Sequence, residues 1–375
     1  MRIRLLMSLL VLTPLPLLAT PLQFEVARKI ELQPLENQGF TPLSRPRLVD
    51  RDRAVYVADR PDRAHLVWLD DHTEYALPIP VRRSKRRGIR RSSLLFVDSP
   101  HERASVLLTE RNRLKRYSIA TWNLATNREI HRVEVARINP RRAQSELLPL
   151  GYSPEDRLLY CQETHISRHG QRPWTVTVFA MVPGENPWQV GRIQTERRIH
   201  HVYYDGVHGR ALAVEYAERG NDGPAPRGHL FDLHSGEIRT LPLPLTAYGI
   251  AFSRDRSRIH AYSSQLGQVW SISTETRDIQ WRRRIGGLGH ALGTLGEDYL
   301  LLIREAGLQI IHADTGRSHN FFRMSRFVDG ISHPEGSLVT ADQAIVRNGT
   351  DIHFVRILNR DHAAPRGEGN RPAPR

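Results

Sequence analysis

Among eighteen histidines, five fall where chemistry could be assembled. The run His200-His201-Val202-Tyr203-Tyr204-Asp205 sets two imidazoles and a carboxylate on one short segment, the material of a general base oriented by an acid. On a strand, adjacent side chains face opposite ways, so only one of His200 and His201 can reach a channel beside Asp205. The chemistry expected of such a group is that of a hydrolase or lyase acting on a small acidic or lactone-like molecule. His101, His208 and His333 each sit in a polar turn, and three imidazoles meeting on one surface could hold a metal ion. Each set has a plainer reading, as a strand with one buried and one exposed imidazole and as ordinary surface turns.

The absent motifs narrow the field further. There is no phosphate loop of the form Gly-x-x-x-x-Gly-Lys-Ser/Thr, no Gly-x-Ser-x-Gly elbow, no His-Glu-x-x-His and no Cys-x-x-Cys-His, so no nucleotide, haem or zincin chemistry is implied. Asp205-Gly206 and Asp222-Gly223 are turns without the carboxylate run of a calcium loop. No cofactor is expected. The single cysteine, Cys161, excludes an intramolecular disulfide and a cysteine-built metal site; within Leu158-Leu159-Tyr160-Cys161 it reads as a small buried hydrophobe on a strand.

These residues must be positioned by a repeat. Gly151-Tyr152-Ser153-Pro154-Glu155-Asp156-Arg157 precedes the apolar run to Cys161, Ala251-Phe252-Ser253-Arg254-Asp255-Arg256-Ser257 precedes Arg258 to Tyr262, and Gly330-Ile331-Ser332-His333-Pro334-Glu335-Gly336 precedes Ser337 to Ala341. Each is a strand end, a polar turn and a second strand, hence a hairpin. Looser copies at 49–57, 96–108, 204–214 and 295–303 place second strands at intervals of roughly 40 to 54 residues, the period of four-stranded propeller blades. A second hairpin follows at a variable offset in Trp122-Asn123-Leu124-Ala125-Thr126-Asn127, Leu230-Phe231-Asp232-Leu233-His234-Ser235-Gly236 and Ile310-Ile311-His312-Ala313-Asp314-Thr315-Gly316. Asn348-Gly349 turns the last copy. Period-2 runs such as Trp174-Thr175-Val176-Thr177-Val178-Phe179 recur, while sustained helical periodicity is absent outside the N-terminus.

The order strand, Ser-Pro-Asp-Gly-like turn, strand, Asp-x-x-Thr-Gly-like turn resembles the YVTN and WD40-like bacterial β-propeller repeats across nearly all of residues 38–358. The copies lack the Trp-Asp and Gly-His pairs of WD40 repeats and the Tyr-Val-Thr-Asn strand. The resemblance implies an all-β fold: a single β-propeller of about seven four-stranded blades over residues 22–360. It implies little about activity, because propellers host binding, scaffolding and enzymes alike. The alternating residues Leu22, Phe24, Val26, Ile30 and Leu32 predict a strand beside 351–358, closing the ring or adding an edge to its last blade.

Arg2 and Arg4, the apolar run Leu5 to Leu18 and Ala19-Thr20-Pro21 read as a signal peptide over residues 1–19, and hence as a periplasmic or secreted protein. The Pro- and Gly-rich residues 361–375 read as a disordered tail. With 54 Lys and Arg against 40 Asp and Glu, the net charge is +14, which favours acidic partners. Lysine occurs only at 29, 85 and 115, so the surplus is arginine, as a GC-rich genome would also write it.

In a four-stranded blade, the loops joining the second to the third strand share a face with those joining one blade to the next. Arg82, Arg83, Lys85, Arg86, Arg87, Arg90 and Arg91 fall between the first two blades, and Arg111, Arg113, Lys115 and Arg116 in the middle hairpin of the second. Both runs should emerge side by side on one face, with the three turn histidines on the other. The partner expected is a protein or an anionic envelope component such as lipid head groups or glycan, with non-specific polyanion binding. Stacking aromatics are not interleaved with the runs, which disfavours sequence-specific nucleic-acid recognition. The balance favours a monomeric, non-enzymatic binding or scaffold protein over the channel enzyme.

Overall fold

The computed structural model describes residues 23–31, 47–49, 54–60, 63–72, 74–78, 91–98, 103–111, 115–126, 128–138, 146–153, 158–165, 174–182, 188–206, 208–216, 225–244, 247–286, 288–305, 307–323, 338–340, 343–348 and 351–358. The expected signal segment and tail lie outside them. Every regular element among the described residues is a strand.

The first strand, β1 (Gln23–Glu31), is followed by six sheets whose strands lie in sequence order. The first blade is β2 (Arg47–Val49), β3 (Ala54–Arg60), β4 (Arg63–Trp68) and β5 (Glu74–Pro78); the second is β6 (Arg91–Asp98), β7 (Arg103–Arg111), β8 (Lys115–Asn123) and β9 (Arg128–Ile138). The third is β10 (Glu146–Ser153), β11 (Leu158–His165), β12 (Trp174–Met181) and β13 (Trp188–Thr195); the fourth is β14 (Ile199–Asp205), β15 (Arg210–Glu215), β16 (Arg227–Asp232) and β17 (Ile238–Pro242). The fifth is β18 (Ala247–Phe252), β19 (Arg258–Ser263), β20 (Gln268–Ser273) and β21 (Ile279–Arg284); the sixth is β22 (Gly289–Leu295), β23 (Tyr299–Arg304), β24 (Gly307–His312) and β25 (Ser318–Arg323). A seventh sheet runs β26 (Leu338–Val339), β27 (Gln343–Asn348), β28 (Asp351–Leu358) and then β1. All pairings are antiparallel, with Gln23 opposite Leu358 and Glu31 opposite Asp351.

Each sheet hides its faces against its neighbours, which is why the middle strands read as unbroken apolar runs. All six residues of β15 are buried. Val176, Val178 and Ile193 of the third blade pack on Val202, Ala211 and Phe231 of the fourth; Leu212 and Leu241 of the fourth meet Ile250, Ile259 and Ile272 of the fifth. Tyr262, Val269 and Trp281 of the fifth meet Leu300, Leu302 and Ile311 of the sixth, and Leu301 and Ile310 meet Val346 and Val355 of the seventh. Trp281 also donates its indole N–H to Ala313 O at 2.9 Å. The seventh sheet touches the first: Gln343 Nε2 donates to Leu69 O at 2.8 Å, and Arg28 of β1 reaches the Glu74 carboxylate and the His72 carbonyl.

One hairpin differs from expectation. The inner strand of the seventh blade is β26, and its partner begins at Gln343, so Leu338–Val339 supplies the first strand of that blade rather than its second, and Thr340 leads out of it. The side chain of Thr340 explains the shift. Its Oγ1 accepts Gln343 N–H at 3.0 Å while Thr340 N–H donates to Gln343 O at 2.8 Å, matching Ser253, whose Oγ accepts Arg258 N–H at 2.8 Å and whose N–H donates to Arg258 O at 3.0 Å. Thr340, and not Ser332, is the counterpart of Ser253.

Cys161 lies on β11, wholly buried, and burial pushes its thiol up to about 12. The thiol form is unreactive. The native protein is therefore expected to show no titratable thiol with a disulfide reagent at neutral pH, and one equivalent after denaturation; fast labelling of the folded chain would contradict the buried placement.

Candidate binding face and channel

Strand direction divides the disc into two faces. On one lie the turns between first and second and between third and fourth strands, here the turn face; on the other lie the second-to-third turns and the blade-to-blade connections, here the connection face. Gln23 and Leu358 both lie on the turn face. Of the expected basic positions, Arg82, Arg83, Lys85, Arg86, Arg87, Arg90 and Arg113 lie outside the described residues. Arg91 opens β6, Arg111 pairs with Lys115 at the end of the β7–β8 hairpin, and Arg116 is exposed. The chain enters and leaves both runs on the connection face. The same face receives Arg197 and Arg198 between β13 and β14, and Arg284, Arg304 and Arg323 at the ends of β21, β23 and β25.

Carboxylates accumulate on the other face because turns use them. Asp232 Oδ1 accepts the N–H groups of His234 and Ser235 at 3.0 and 2.8 Å, and Asp255 Oδ1 accepts that of Ser257 at 3.0 Å. Asp70, Asp71, Asp298 and Asp314 occupy corresponding turns. The hydrogen bonds from Ser257, chiefly from its hydroxyl, hold Asp255 at about 2 despite partial burial.

The expected catalytic group is not assembled. Asp205 ends β14 on the turn face, whereas His200 and His201 lie at its other end, about 13 Å away for four residues of strand. The Asp205 carboxylate is buried and committed elsewhere: Oδ2 lies 2.8 Å from His208 Nδ1 and accepts Arg210 Nε and Nη2 at 3.2 and 2.9 Å. Arg210 in turn donates to Arg256 O at 3.0 Å and covers the Phe252 ring at 5.4 Å, both in the fifth blade. His201 is exposed and edge-on to Tyr203 at 4.7 Å.

Simple alternation also fails at His200. Ile199 pairs with Glu215 and His201 with Val214, leaving His200 as the extra residue of a bulge. The same bulge recurs in the next two inner strands at Tyr248 and His290, so His200, Tyr248 and His290 hold equivalent backbone positions on the connection side of the channel. A bulge leaves no mark in residue spacing, and sequence reasoning missed the equivalence.

Only one member of the expected metal set lies among the described residues. His208 is paired with Asp205; His101 and His333 lie outside the described residues. No group of three or more potential ligands that could hold a metal occurs among the described residues.

A second buried polar cluster was not anticipated. Glu215 closes β15 and accepts Thr195 Oγ1–H at 2.5 Å, His229 Nε2–H at 3.0 Å and Arg227 N–H at 3.0 Å. Burial alone would raise its carboxyl, but those hydrogen bonds prevail and hold it below the usual carboxylate value. Thr195 belongs to the third blade, so the cluster ties two blades together. A cleft of about 120 Å³ between the fourth and fifth blades is lined by Arg210, Asp232, Glu237, Arg239, Arg256 and Thr274. Arg239 is already bidentate with Glu237 and Arg210 with Asp205.

No family model matches the chain, and no curated protein matches it. Among solved structures, a chain from a crystal structure of a mitotic checkpoint complex is similar with a TM-score of 0.55 and 10% identity, over 95% of this chain and 98% of that one. A luciferin-regenerating enzyme aligns with a TM-score of 0.42 and 12% identity, over 90% and 95%. At such identities the first likeness is one of fold, and together with the four-stranded antiparallel sheets it defines the class: the chain is a β-propeller.

Proposed function

We propose that the chain is an exported, non-enzymatic β-propeller of the YVTN/WD40-like kind, a binding or scaffold protein that holds an acidic partner against its connection face. That partner is a protein or an anionic envelope component. The supporting observation is the division of charge by strand order: turn-forming carboxylates gather on one face, while Arg91, Arg111, Lys115 and Arg116 mark the ends of two basic runs on the other. The commitment of Asp205 to Arg210 and His208 weighs against the channel-enzyme alternative. Gln23 and Leu358 both lie on the turn face, away from the proposed binding surface.

The test is binding of the full chain to heparin and to polyphosphate over a range of salt. Affinity is expected to fall as salt rises, and replacing Arg82, Arg83, Lys85, Arg86, Arg87, Arg90 and Arg91 by glutamine should weaken it about tenfold and flatten the salt dependence. A variant that binds as tightly as the parent overturns the basic-face reading. Cell fractionation of the tagged chain tests export; a cytosolic product would overturn that part.

A further inference from the structure

Five large apolar side chains are exposed among the described residues, and two of them, Leu288 at 51% and Phe321 at 37%, lie at the connection-face end of the sixth blade. They lie at opposite edges of the sheet, Leu288 before the inner strand β22 and Phe321 on the outer strand β25, three strand spacings or about 14 Å apart, with Arg304 on β23 between them. Leu288 precedes Gly289, which pairs with Arg304, and its carbonyl accepts Glu305 N–H at 3.3 Å. Arg304 pairs with Gly307, and Gly307 with Arg323. The Arg304 guanidinium carbon stands 5.4 Å from the centre of the Phe321 ring. Gly307 is what lets the ring lie against the sheet, since a Cβ there would sit 3.0 Å from Phe321 Cζ and 2.0 Å from the Phe322 carbonyl oxygen.

Arg304 is under-compensated. Among the described residues its Nε is buried without a hydrogen-bond partner, and Nη1 finds only Gln309 Oε1 at 3.4 Å. None of Arg283, Arg284, Arg304 and Arg323 forms an ion pair among the described residues. Single exposed apolar side chains are ordinary. A half-buried arginine without a carboxylate, set beside an exposed aromatic ring, has the composition of an interface hot spot.

We infer that this end of the sixth blade is a docking site for an acidic protein segment carrying one aromatic or aliphatic anchor. A carboxylate from the segment meets Arg304 in a charge-assisted hydrogen bond, the anchor covers Phe321, and Arg284 and Arg323 hold flanking acids. A polyanion without side chains of this kind leaves Phe321 unused. A membrane surface fits poorly, because the ring lies against its own sheet and does not project. The site shares the connection face with the runs at 82–91 and 111–116 but belongs to a different blade, so it stands or falls separately from them.

The probe is a fluorescein-labelled Glu/Asp-rich peptide with one central tryptophan, and the same peptide with serine in its place, titrated with the full chain by fluorescence anisotropy. The tryptophan peptide is expected to bind about tenfold more tightly, and Phe321→Ser, Arg304→Gln and Arg323→Gln each to weaken it about five- to tenfold. Phe321 and Arg323 are exposed, so those two variants should keep the parent's melting curve and remain informative if Arg304→Gln unfolds. The chain neutralised over 82–91 should bind the peptide within about twofold of the parent. Equal binding of the two peptides, unchanged binding by Phe321→Ser and Arg323→Gln, or binding of phosphatidylglycerol vesicles in place of the peptide would each overturn the inference. If heparin binding survives neutralisation of 82–91 while peptide binding still requires Phe321, the basic-loop reading fails and this one stands; the reverse pattern sinks only this one.

Discussion

Replacing Asp205 by alanine is expected to lower the unfolding free energy by about 3–5 kcal/mol, read as a fall in the urea midpoint without a change in slope. The substitution removes the one carboxylate bonded to Arg210 among the described residues and strands the guanidinium of that side chain, which is 6% exposed, between the fourth and fifth blades. The penalty is that of an unpaired buried charge, so it should shrink when the charge is removed as well. Asp205→Ala combined with Arg210→Met should recover a large part of the loss, because an apolar pair of similar volume often replaces a buried ion pair at little cost. His208→Ala should cost about 1 kcal/mol or less, since its partner keeps Arg210. The same measurement bears on function. If Asp205→Ala unfolds at the parent's urea concentration, the carboxylate is not needed to hold the blades together, and its candidacy as a channel acid returns.

How much of this could be read in the residues varies with the physical device. The hairpins at Ser153, Ser253 and the 295–303 segment were legible because a turn that uses Ser, Pro or Asp side chains to satisfy backbone groups advertises itself in composition. The seventh blade misled for the same reason. Gly330 to Gly336 carries the turn chemistry, while the working turn after Thr340 rests on one threonine hydroxyl and no glycine. The buried pairs Asp205–Arg210 and Glu215–His229 bridge strands five and fourteen residues apart, separations with no fixed meaning until the register is known. Bulges at His200, Tyr248 and His290 are invisible for a related reason: each adds one residue to a strand without changing its type.

Charge was legible in total but not in mechanism. The surplus of arginine pointed to a basic face through loop position alone. The described residues add a physical cause, in that acidic residues are drawn to the turn face as acceptors for backbone N–H groups, as at Asp232 and Asp255. Arg284, Arg304 and Arg323, at strand ends on the connection face, then form no ion pair among the described residues. A positive face can thus arise by removal of carboxylates as well as by accumulation of cations.

Acidification should destabilise the fold well before its carboxylates titrate, because of two histidines buried without charge. His260 lies on β19, 1% exposed, with Nδ1 unpartnered and its ring 5.8 Å from that of Trp281. Burial, reinforced by Arg258, depresses it from 6.5 to about 3; His353, with Nε2 unpartnered, is lowered by burial as well. In the unfolded chain His260 takes up a proton below about pH 6.5, whereas in the folded chain it stays neutral down to about 3. The unfolded state therefore binds more protons throughout that window, and stability must fall as pH falls through it. One such group contributes a slope that approaches about 1.4 kcal/mol per pH unit once the unfolded imidazole is fully protonated, hence about 2 kcal/mol between pH 6.5 and 4.5. Asp255 and Glu215, both lowered in the folded state, add to the loss only nearer pH 4 and below. The upper part of the window thus reports the histidines. Urea midpoints measured from pH 7 to 4.5 should decline in the parent, and in His260→Leu the decline should lessen by the share of one proton. A parent whose midpoint is flat over that range would mean that His260 is protonated, or reached by water, in the folded protein, and that the packing between the fifth and sixth blades is looser than its contacts with Trp281 imply.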